Sequence, residues 1–366
     1  MTHYIASVDA GNGGVKAVLA KSGSGYKSHY EPSVRAPATG DSLNFGKGAI
    51  GESELEYVDW NGFRYATGDS VLSVTRRGLE RHMGSNRYGN EFHQFLVALA
   101  LAKLGVKEGE VDLTLFAPPG LYSELKPEIQ RRFSEKGGGV EIQLSGDKKP
   151  RAWRYSKVSV LPEGIGAAAC LVLDDSGEFV PSNVLEGEVA VLDIGAYTLD
   201  ALAFSEGNFN AETLQHATWE NGGTHTHIRE PILKTIKKQG EDFAHLTVDD
   251  IDRVIRLGSV SGDYTLRAAG YDIDLKPLLD KRRERYAEWI ANNIGDGVFN
   301  QFRGFRSVIL VGGAGLVEDY MHKWYGDKIF NPKKHKTTAR LHPIDMNAVG
   351  GLRYALMQSK QGKPAG

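Results

Sequence analysis

One cysteine, Cys170, stands in a chain of 366 residues. With no second thiol an intrachain disulfide is excluded, and such cysteine usage suits a reducing, cytoplasmic compartment. Long apolar runs are absent too: none approaches the roughly 18 residues needed to cross a bilayer. The first residues, Met1-Thr2-His3-Tyr4, enter a strand pattern without the charged and apolar regions of a signal peptide. No membrane partner is therefore expected. An excess of one charge sign is also missing. Lys plus Arg number 44 and Asp plus Glu 46, a formal net charge of -2, which argues against a chain basic throughout, as a nucleic-acid coat would be. Hydrophobic residues at 41% and charged residues at 25% exclude wholesale disorder, and the length suits two to three domains. What the chain has in quantity is glycine, 44 in all, without low complexity.

The glycines punctuate a strand-rich pattern. Tyr4 to Val8 is apolar, Asp9-Ala10-Gly11-Asn12-Gly13-Gly14 follows, and Val15 to Lys21 is apolar again: strand, glycine turn, strand. Asn44 to Val71 continues in this style, with a hairpin around Asn61-Gly62. Asn90 to Leu104 is rich in Ala and Leu and reads as a helix. Val111 to Phe116 reads as a buried strand stopped by Pro118-Pro119-Gly120, and Ser123 is expected to cap a helix through Phe133. Strands over Val140 to Leu144 and Ala152 to Val160 lead to Pro162-Glu163-Gly164, where Pro162 suits the first turn of a small-residue helix to Leu173. The polar stretch Asp174 to Gly187 separates two halves. Beyond it come a strand at Glu188 to Asp193, a turn at Gly195 to Thr198 and a strand at Leu199 to Phe204. Helices are expected over Thr224 to Gln239, Val248 to Arg256 and Leu275 to Phe302, then a strand at Ser307 to Val311 and a helix at Leu316 to Tyr325. A terminal helix covers Met346 to Gln358, and Gly362, Pro364 and Gly366 are expected to fray.

One unit occurs twice, as VDAGNGGVKAVLA at Val8 to Ala20 and LDIGAYTLDALAF at Leu192 to Phe204, half a chain length apart. This predicts a duplicated architecture with one site between its halves. A phosphate held by a hairpin needs backbone N–H groups aimed at one point and no side chains in the way. Gly11, Gly13 and Gly14 meet both conditions. Lys16 can add positive charge, and Asp9 at the strand end can hold a hydrated Mg²⁺. One such turn alone also fits an ordinary glycine-rich hairpin; duplication of the strand-end Asp argues against that for the pair. In the second copy Asp193 matches Asp9, Gly195 permits close approach, and the backbone and hydroxyls of Tyr197 and Thr198 can bond phosphate. Asp200 follows in the outgoing strand, where a bond to neighbouring backbone is the alternative to a role in the site.

A third segment, Val308 to Gly315, runs an apolar strand into Gly312-Gly313-Ala314-Gly315, which lets backbone lie flat against a base or ribose. The carboxylate of Glu163 either complements a helix dipole or is aimed at an in-line water. Small residues at Gly166 to Ala169 and at Ala348, Gly350 and Gly351 allow two helices to cross closely, as a hinge requires. His225 and His227 have no Cys or third His nearby and read as contact or surface residues rather than metal ligands. The basic stretches Arg76 to Arg87, Lys281 to Arg285 and Lys333 to Arg340 read as solvated faces or as termini that complement a helix dipole. No groove-reading motif is visible, so direct sequence-specific DNA binding is not expected. Cys170 reads as buried and apolar.

In order, DAGNGGVK, LPEGIGAAA, LDIGAYTLD, VGGAG and NAVGG resemble the five nucleotide-site segments of the actin, heat-shock chaperone and sugar-kinase superfamily: first phosphate loop, first connector, second phosphate loop, adenosine loop and second connector. The length, the Pro-Glu-Gly-Ile-Gly connector and Phe63-Arg64-Tyr65-Ala66-Thr67-Gly68-Asp69 are most similar to prokaryotic actin-like proteins of the ParM plasmid-segregation type and their archaeal relatives. The resemblance implies an α/β, actin-like ATPase fold of two duplicated ribonuclease-H-like lobes: residues 1–170, to which a C-terminal helix at 343–366 returns, and residues 171–342. It implies that Asp9 and Asp193 hold Mg²⁺, largely through water, and that Glu163 positions the attacking water. Gly11, Asn12, Gly13, Gly14 and Lys16, with Gly195, Tyr197 and Thr198, would contact phosphates. Gly222, Gly223 and Thr224 would approach the ribose, and Gly312, Gly313 and Gly315 would border the adenosine. Two positions depart from the family pattern: Asn12 stands for a frequent Ser or Thr, and Ala196-Tyr197 for smaller residues. The implied function is hydrolysis of ATP, or GTP, coupled to assembly of the chain into filaments, with a DNA-binding adaptor linking the polymer to a plasmid. A small-molecule kinase and a non-segregating scaffold use the same core and stay open as alternatives.

Overall fold

The computed structural model describes residues 1–21, 25–38, 56–74, 78–208, 215–294, 299 and 302–361. Residues 44–55 of the strand-like stretch, Arg76-Arg77, residues 295–298 and 300–301 of the helix expected to reach Phe302, and Gly362, Pro364 and Gly366 lie outside these.

The first glycine turn joins β1 (His3–Ala10) to antiparallel β2 (Gly14–Ala20), and β3 (Tyr26–Pro32) adds to the far side of β2. After β4 (Ala36–Pro37) comes the hairpin of β5 (Glu56–Trp60) and β6 (Phe63–Thr67). Its turn holds Asn61 at φ 51° and Gly62 at φ 81°, the left-handed pair that a two-residue hairpin demands. Short α1 (Asp69–Val74) precedes α2 (Glu91–Leu104), which starts where the Asn90 side chain accepts the His93 N–H at 2.9 Å. Because α2 is apolar on almost every face, it is buried over nearly its whole length against the sheet. The chain then forms β7 (Glu108–Ala117), α3 (Tyr122–Ser134), β8 (Gly139–Leu144), β9 (Arg151–Pro162) and α4 (Ile165–Val172). The strands make one nine-stranded sheet in the order β3-β2-β1-β7-β9-β8-β5-β6-β4.

The second half repeats the start of the first. Strands β10 (Glu188–Ile194) and β11 (Leu199–Ser205) form the hairpin, and β12 (Gln215–Trp219) flanks it. Then follow α5 (Glu230–Lys237), α6 (Val248–Ser261), a small hairpin of β13 (Thr265–Ala268) and β14 (Tyr271–Asp274), and α7 (Lys276–Asn293). Strand β15 (Ser307–Gly312) pairs parallel with β10, and α8 (Glu318–Tyr325) and α9 (Met346–Gln361) complete the described chain. The order β12-β11-β10-β15 in this sheet is the order β3-β2-β1-β7 in the other. The duplicated pattern therefore corresponds to a duplicated fold of two lobes. Each lobe has its own apolar core, and a third cluster, built on α4, α9, β10 and β15, lies between them.

Local details depart from the sequence expectations for identifiable reasons. Pro162 is the last residue of β9, not the start of a helix; Gly164, left-handed at φ 90°, makes the corner and α4 begins at Ile165. Ser123 does not cap α3, which starts one residue earlier from a proline-containing 3₁₀ turn. The helix expected over Thr224 to Gln239 is a five-residue π turn, His225–Arg229, leading into α5. The helix expected to reach Phe302 ends at Asn293, and Phe302 itself is left-handed at φ 55°.

Candidate active site

The two glycine hairpins face one another across a cleft of about 780 Å³. In the first, register places Asp9 opposite Lys16; in the second it places Asp193 opposite Asp200. The duplicated position thus carries opposite charges on its two outgoing strands. Lys16 Nζ lies 3.6 Å from Asp9 Oδ2. Burial pulls the Lys16 ammonium down, but Asp9, Tyr30, Asp193 and Glu163 together outweigh it and raise it. The loops approach closely: a Cβ on Gly13 would sit 3.0 Å from that of Ala196.

Four carboxyl groups gather here, those of Asp9, Asp193, Glu163 and Asp200, and burial dominates the titration of the last three. Asp193 is raised to about 7, by burial first and then by Asp9 and Asp200. Glu163 is pushed well above the ordinary carboxyl range by burial, with Asp9, Asp200 and Asp193 adding to it. Asp200 is raised by burial and held back by two hydroxyl donors, Thr218 at 2.5 Å and Thr198 at 2.7 Å. Among the described residues no three His, Cys, Asp or Glu side chains converge to chelate a metal directly. A cation held by Asp9 and Asp193 would therefore take most of its ligands from water and phosphate, as Mg²⁺ commonly does, and the neighbouring carboxylates, which add to the burial that lifts Asp193, would favour it.

Not every expected side chain faces the cleft as anticipated. Gly11, Asn12, Gly13, Gly14, Lys16, Gly195, Tyr197, Thr198, Thr224, Gly312, Gly313 and Gly315 line it with Asp9, Glu163 and Asp193. Gly222 and Gly223 do not; they are buried behind the second loop. The N–H groups of Gly223, Thr224 and His225 donate to the carbonyls of Tyr197, Gly195 and Ala196 at 2.9, 3.1 and 2.7 Å, so they are engaged within protein. A Cβ on Gly223 would come within 2.5 Å of the Ala196 carbonyl, which explains the glycine by packing of loop on loop. The Thr198 hydroxyl donates to Asp200 Oδ2, and the side-chain Oδ1 of Asn12 accepts from Arg87 Nη1 at 2.6 Å. Asp200 bonds two threonine side chains, not neighbouring backbone.

Several neighbours of the cleft are not apparent from the sequence. Asn347, at the start of α9, accepts the Gly164 N–H at 3.0 Å and donates to Asp193 Oδ2 at 2.8 Å, tying the corner beside Glu163 to the second hairpin. Its segment, NAVGG, is the one that resembles the second connector, and Asn347 opens it. Arg87 is not a solvated residue; it is 1% exposed and also donates to the carbonyls of Ala10 and Gly11 beneath the first loop. Tyr88 donates to Glu163 Oε1 at 3.1 Å. Arg283, in a stretch read as solvated, donates to the Gly315 carbonyl at 3.1 Å. His225 stacks on Tyr197 at 4.6 Å and His227 on Tyr286 at 4.9 Å, with no metal cluster among the described residues. Cys170 is fully buried, as expected.

A family model described as actin like proteins N terminal domain matches residues 7–166. The chain resembles ParM from Bacillus thuringiensis, solved with ATP, at TM-score 0.69 and 17% identity over 98% of this chain and 100% of that one. It resembles a subunit of a 15-stranded ParM filament from Clostridium botulinum at TM-score 0.70 and 18% identity, over 97% and 99%. An archaeal actin homolog matches at TM-score 0.69 and 16% identity, over 98% and 99%. No curated protein matches the chain by sequence. The fold is thus actin-like, of two lobes. Among the described residues no helix is long and apolar enough to cross a membrane.

Proposed function

We propose that the chain is a cytoplasmic, actin-like nucleotide hydrolase that polymerises with Mg-ATP, or Mg-GTP, and serves plasmid DNA segregation through a DNA-binding adaptor. One observation carries this reading: two copies of a strand-end carboxylate on a glycine hairpin, Asp9 and Asp193, face each other across one cleft with Glu163 and with Lys16 beside Asp9. The lobes follow the division at about residue 170, with α9 returning to the first. Gly11, Gly13, Gly14 and Lys16 bind phosphate from one lobe, and Gly195 with the Tyr197 and Thr198 backbone from the other. Asn12 contributes through its main chain, since Arg87 occupies its side-chain oxygen. Thr224, Gly312, Gly313 and Gly315 border the nucleoside. Asp9 and Asp193 hold Mg²⁺ largely through water, and the ion when bound neutralises phosphate charge.

Phosphoryl transfer needs little covalent help; positioning and charge stabilisation dominate. Glu163 orients the attacking water, and Lys16 offsets negative charge in the transition state. In a polymer the neighbouring subunit stabilises the closed lobes, which couples assembly to hydrolysis. The reading is tested by light scattering, sedimentation and phosphate release on adding Mg-ATP or Mg-GTP. The expected outcome is nucleotide-dependent polymer, and a Glu163→Ala variant that still assembles but hydrolyses about 10²-fold more slowly or worse. No polymer at high protein concentration, with phosphate passed to a small acceptor, would turn the reading towards a kinase. Unchanged turnover in Glu163→Ala would remove Glu163 from the role.

A further inference from the structure

The main chain at Glu163 is fixed from both sides. Its N–H donates to the Ala117 carbonyl at 2.8 Å, and the next N–H, of Gly164, donates to Asn347. The carboxyl group has much less support. Among the described residues its one hydrogen bond comes from the Tyr88 hydroxyl, 3.1 Å from Oε1. Tyr88 lies in the connection leading to α2 and lines the cleft. Its ring meets the buried His93 ring edge-on, with centroids 5.9 Å apart, and the Arg87 guanidinium lies 5.4 Å from the ring centre. Arg87 in turn is bonded to Asn12 and to the Gly11 and Ala10 carbonyls. Two adjacent residues therefore reach both parts of the site: Arg87 holds the first glycine loop and Tyr88 holds the Glu163 carboxyl.

Building on the hydrolase reading above, we propose that Tyr88 is a positioning residue for Glu163: by donating to Oε1 it fixes the carboxyl plane and leaves Oε2 as the acceptor for the attacking water. In that step the water oxygen bonds the γ-phosphorus while the bond from phosphorus to the bridging oxygen breaks. The electron pair leaves on the nucleoside diphosphate, and the water, held by a hydrogen bond to Oε2, passes its proton to the phosphate product. A carboxyl buried beside Asp9, Asp193 and Asp200 is repelled by all three when charged, so without a fixed donor it would turn to whichever partner is nearest. A neutral hydroxyl suits this task better than a cation: it orients the acid without forming an ion pair that would weaken it as an acceptor.

Tyr88→Phe keeps the ring that packs on His93 and removes only the hydroxyl. The test is single-turnover hydrolysis of Mg-ATP by wild type, Tyr88→Phe, Glu163→Gln and the double variant. Nucleotide affinity, sedimentable polymer and melting temperature are measured on the same samples. The expected result is about tenfold slower hydrolysis in Tyr88→Phe, with affinity within twofold, polymer and melting temperature unchanged, and no further slowing when Tyr88→Phe is added to Glu163→Gln. A purely structural Tyr88 would instead lower melting temperature or affinity and would slow the Glu163→Gln background as well. Wild-type turnover in Tyr88→Phe, or additive slowing in the double variant, overturns the positioning role while leaving the hydrolase reading intact. Wild-type turnover in Glu163→Gln overturns the assignment of Glu163 itself, and the positioning role with it.

Discussion

His93 shows how burial, reinforced by the buried charge of Arg87, sets the state of a side chain. His93 is 1% exposed, its Nδ1 accepts the Gly89 N–H at 2.8 Å, and its ring meets those of Tyr88 and Phe133. Burial, and then Arg87, lowers it to about 3. The folded chain therefore refuses a proton that the unfolded chain takes up near pH 6.5. Between those values the unfolded state binds more protons, so stability rises with pH and is lost as pH falls from 6.5 towards 3. The loss from this one group is up to roughly 1.4 kcal/mol per pH unit below 6.5. His93→Gln should flatten that slope: urea midpoints at pH 7 and pH 5 should differ less in the variant than in wild type. Equal slopes would mean that His93 is protonated in the folded chain. At this scale the sequence was legible where chemistry is local. Asp9, Lys16, Asp193 and the glycine loops sit within two short segments, and the structure brings them to one cleft. Tyr88, Arg87 and Asn347 were not, because their partners are remote: Arg87 meets Asn12 across 75 positions and Asn347 meets Asp193 across 154. No spacing rule reaches so far.

Among elements, the crossing of α4 and α9 decides how the halves are joined. A Cβ on Gly350 would overlap the Gly166 carbonyl, and one on Gly166 would lie 2.8 Å from the Asn347 Cα, so backbone packs on backbone with no room for a methyl group. Intrinsic helix propensity favours Ala over Gly by about 1 kcal/mol. Overpacking costs typically 1–3 kcal/mol, and more where the clash is with main chain that cannot rotate away. The second effect should win. Gly350→Ala is expected to lower stability by about 2 kcal/mol or more in denaturant unfolding, whereas Gly304→Ala, where a Cβ meets nothing within 4 Å, should stay within about 0.5 kcal/mol. A stabilised Gly350→Ala would show that the two helices can slide apart freely. The small-residue faces of both helices were readable, as was the Asn61-Gly62 hairpin, because each depends on residue type at adjacent positions. The corner at Gly164 was misread: Pro162 fits a helix start as well as a strand end, and tertiary pairing of β9 with β7 chose the strand.

At the scale of the whole molecule, the lobes meet a second time at the mouth of the cleft, far in sequence from the helix crossing. Arg81 Nη2 bonds Asp249 Oδ1 at 2.7 Å, and Arg256 bonds both carboxyl oxygens of Asp69, at 3.0 and 2.5 Å. Asp69 and Arg81 belong to the half with β1, Asp249 and Arg256 to α6 of the other half. These side chains are partly exposed, so each pair is worth only about 0.2–1 kcal/mol. That is too little to lock the cleft and enough to bias its opening. With a nucleotide beneath, removing both arginines should speed its escape between about two- and thirty-fold, the range given by two such pairs. Release of a fluorescent ADP analogue from Arg81→Ala/Arg256→Ala, followed by stopped flow, measures this. Salt supplies the control, because exposed pairs are screened within about 10 Å at 0.1 M. Raising salt from 0.05 to 0.5 M should accelerate release from the wild type more than from the double variant. If the two proteins release nucleotide at the same rate at low salt, the ion pairs do not hold the mouth closed, and resistance to opening lies in the other contacts between the halves, the crossing of α4 and α9 and the approach of the Gly13 loop to Ala196.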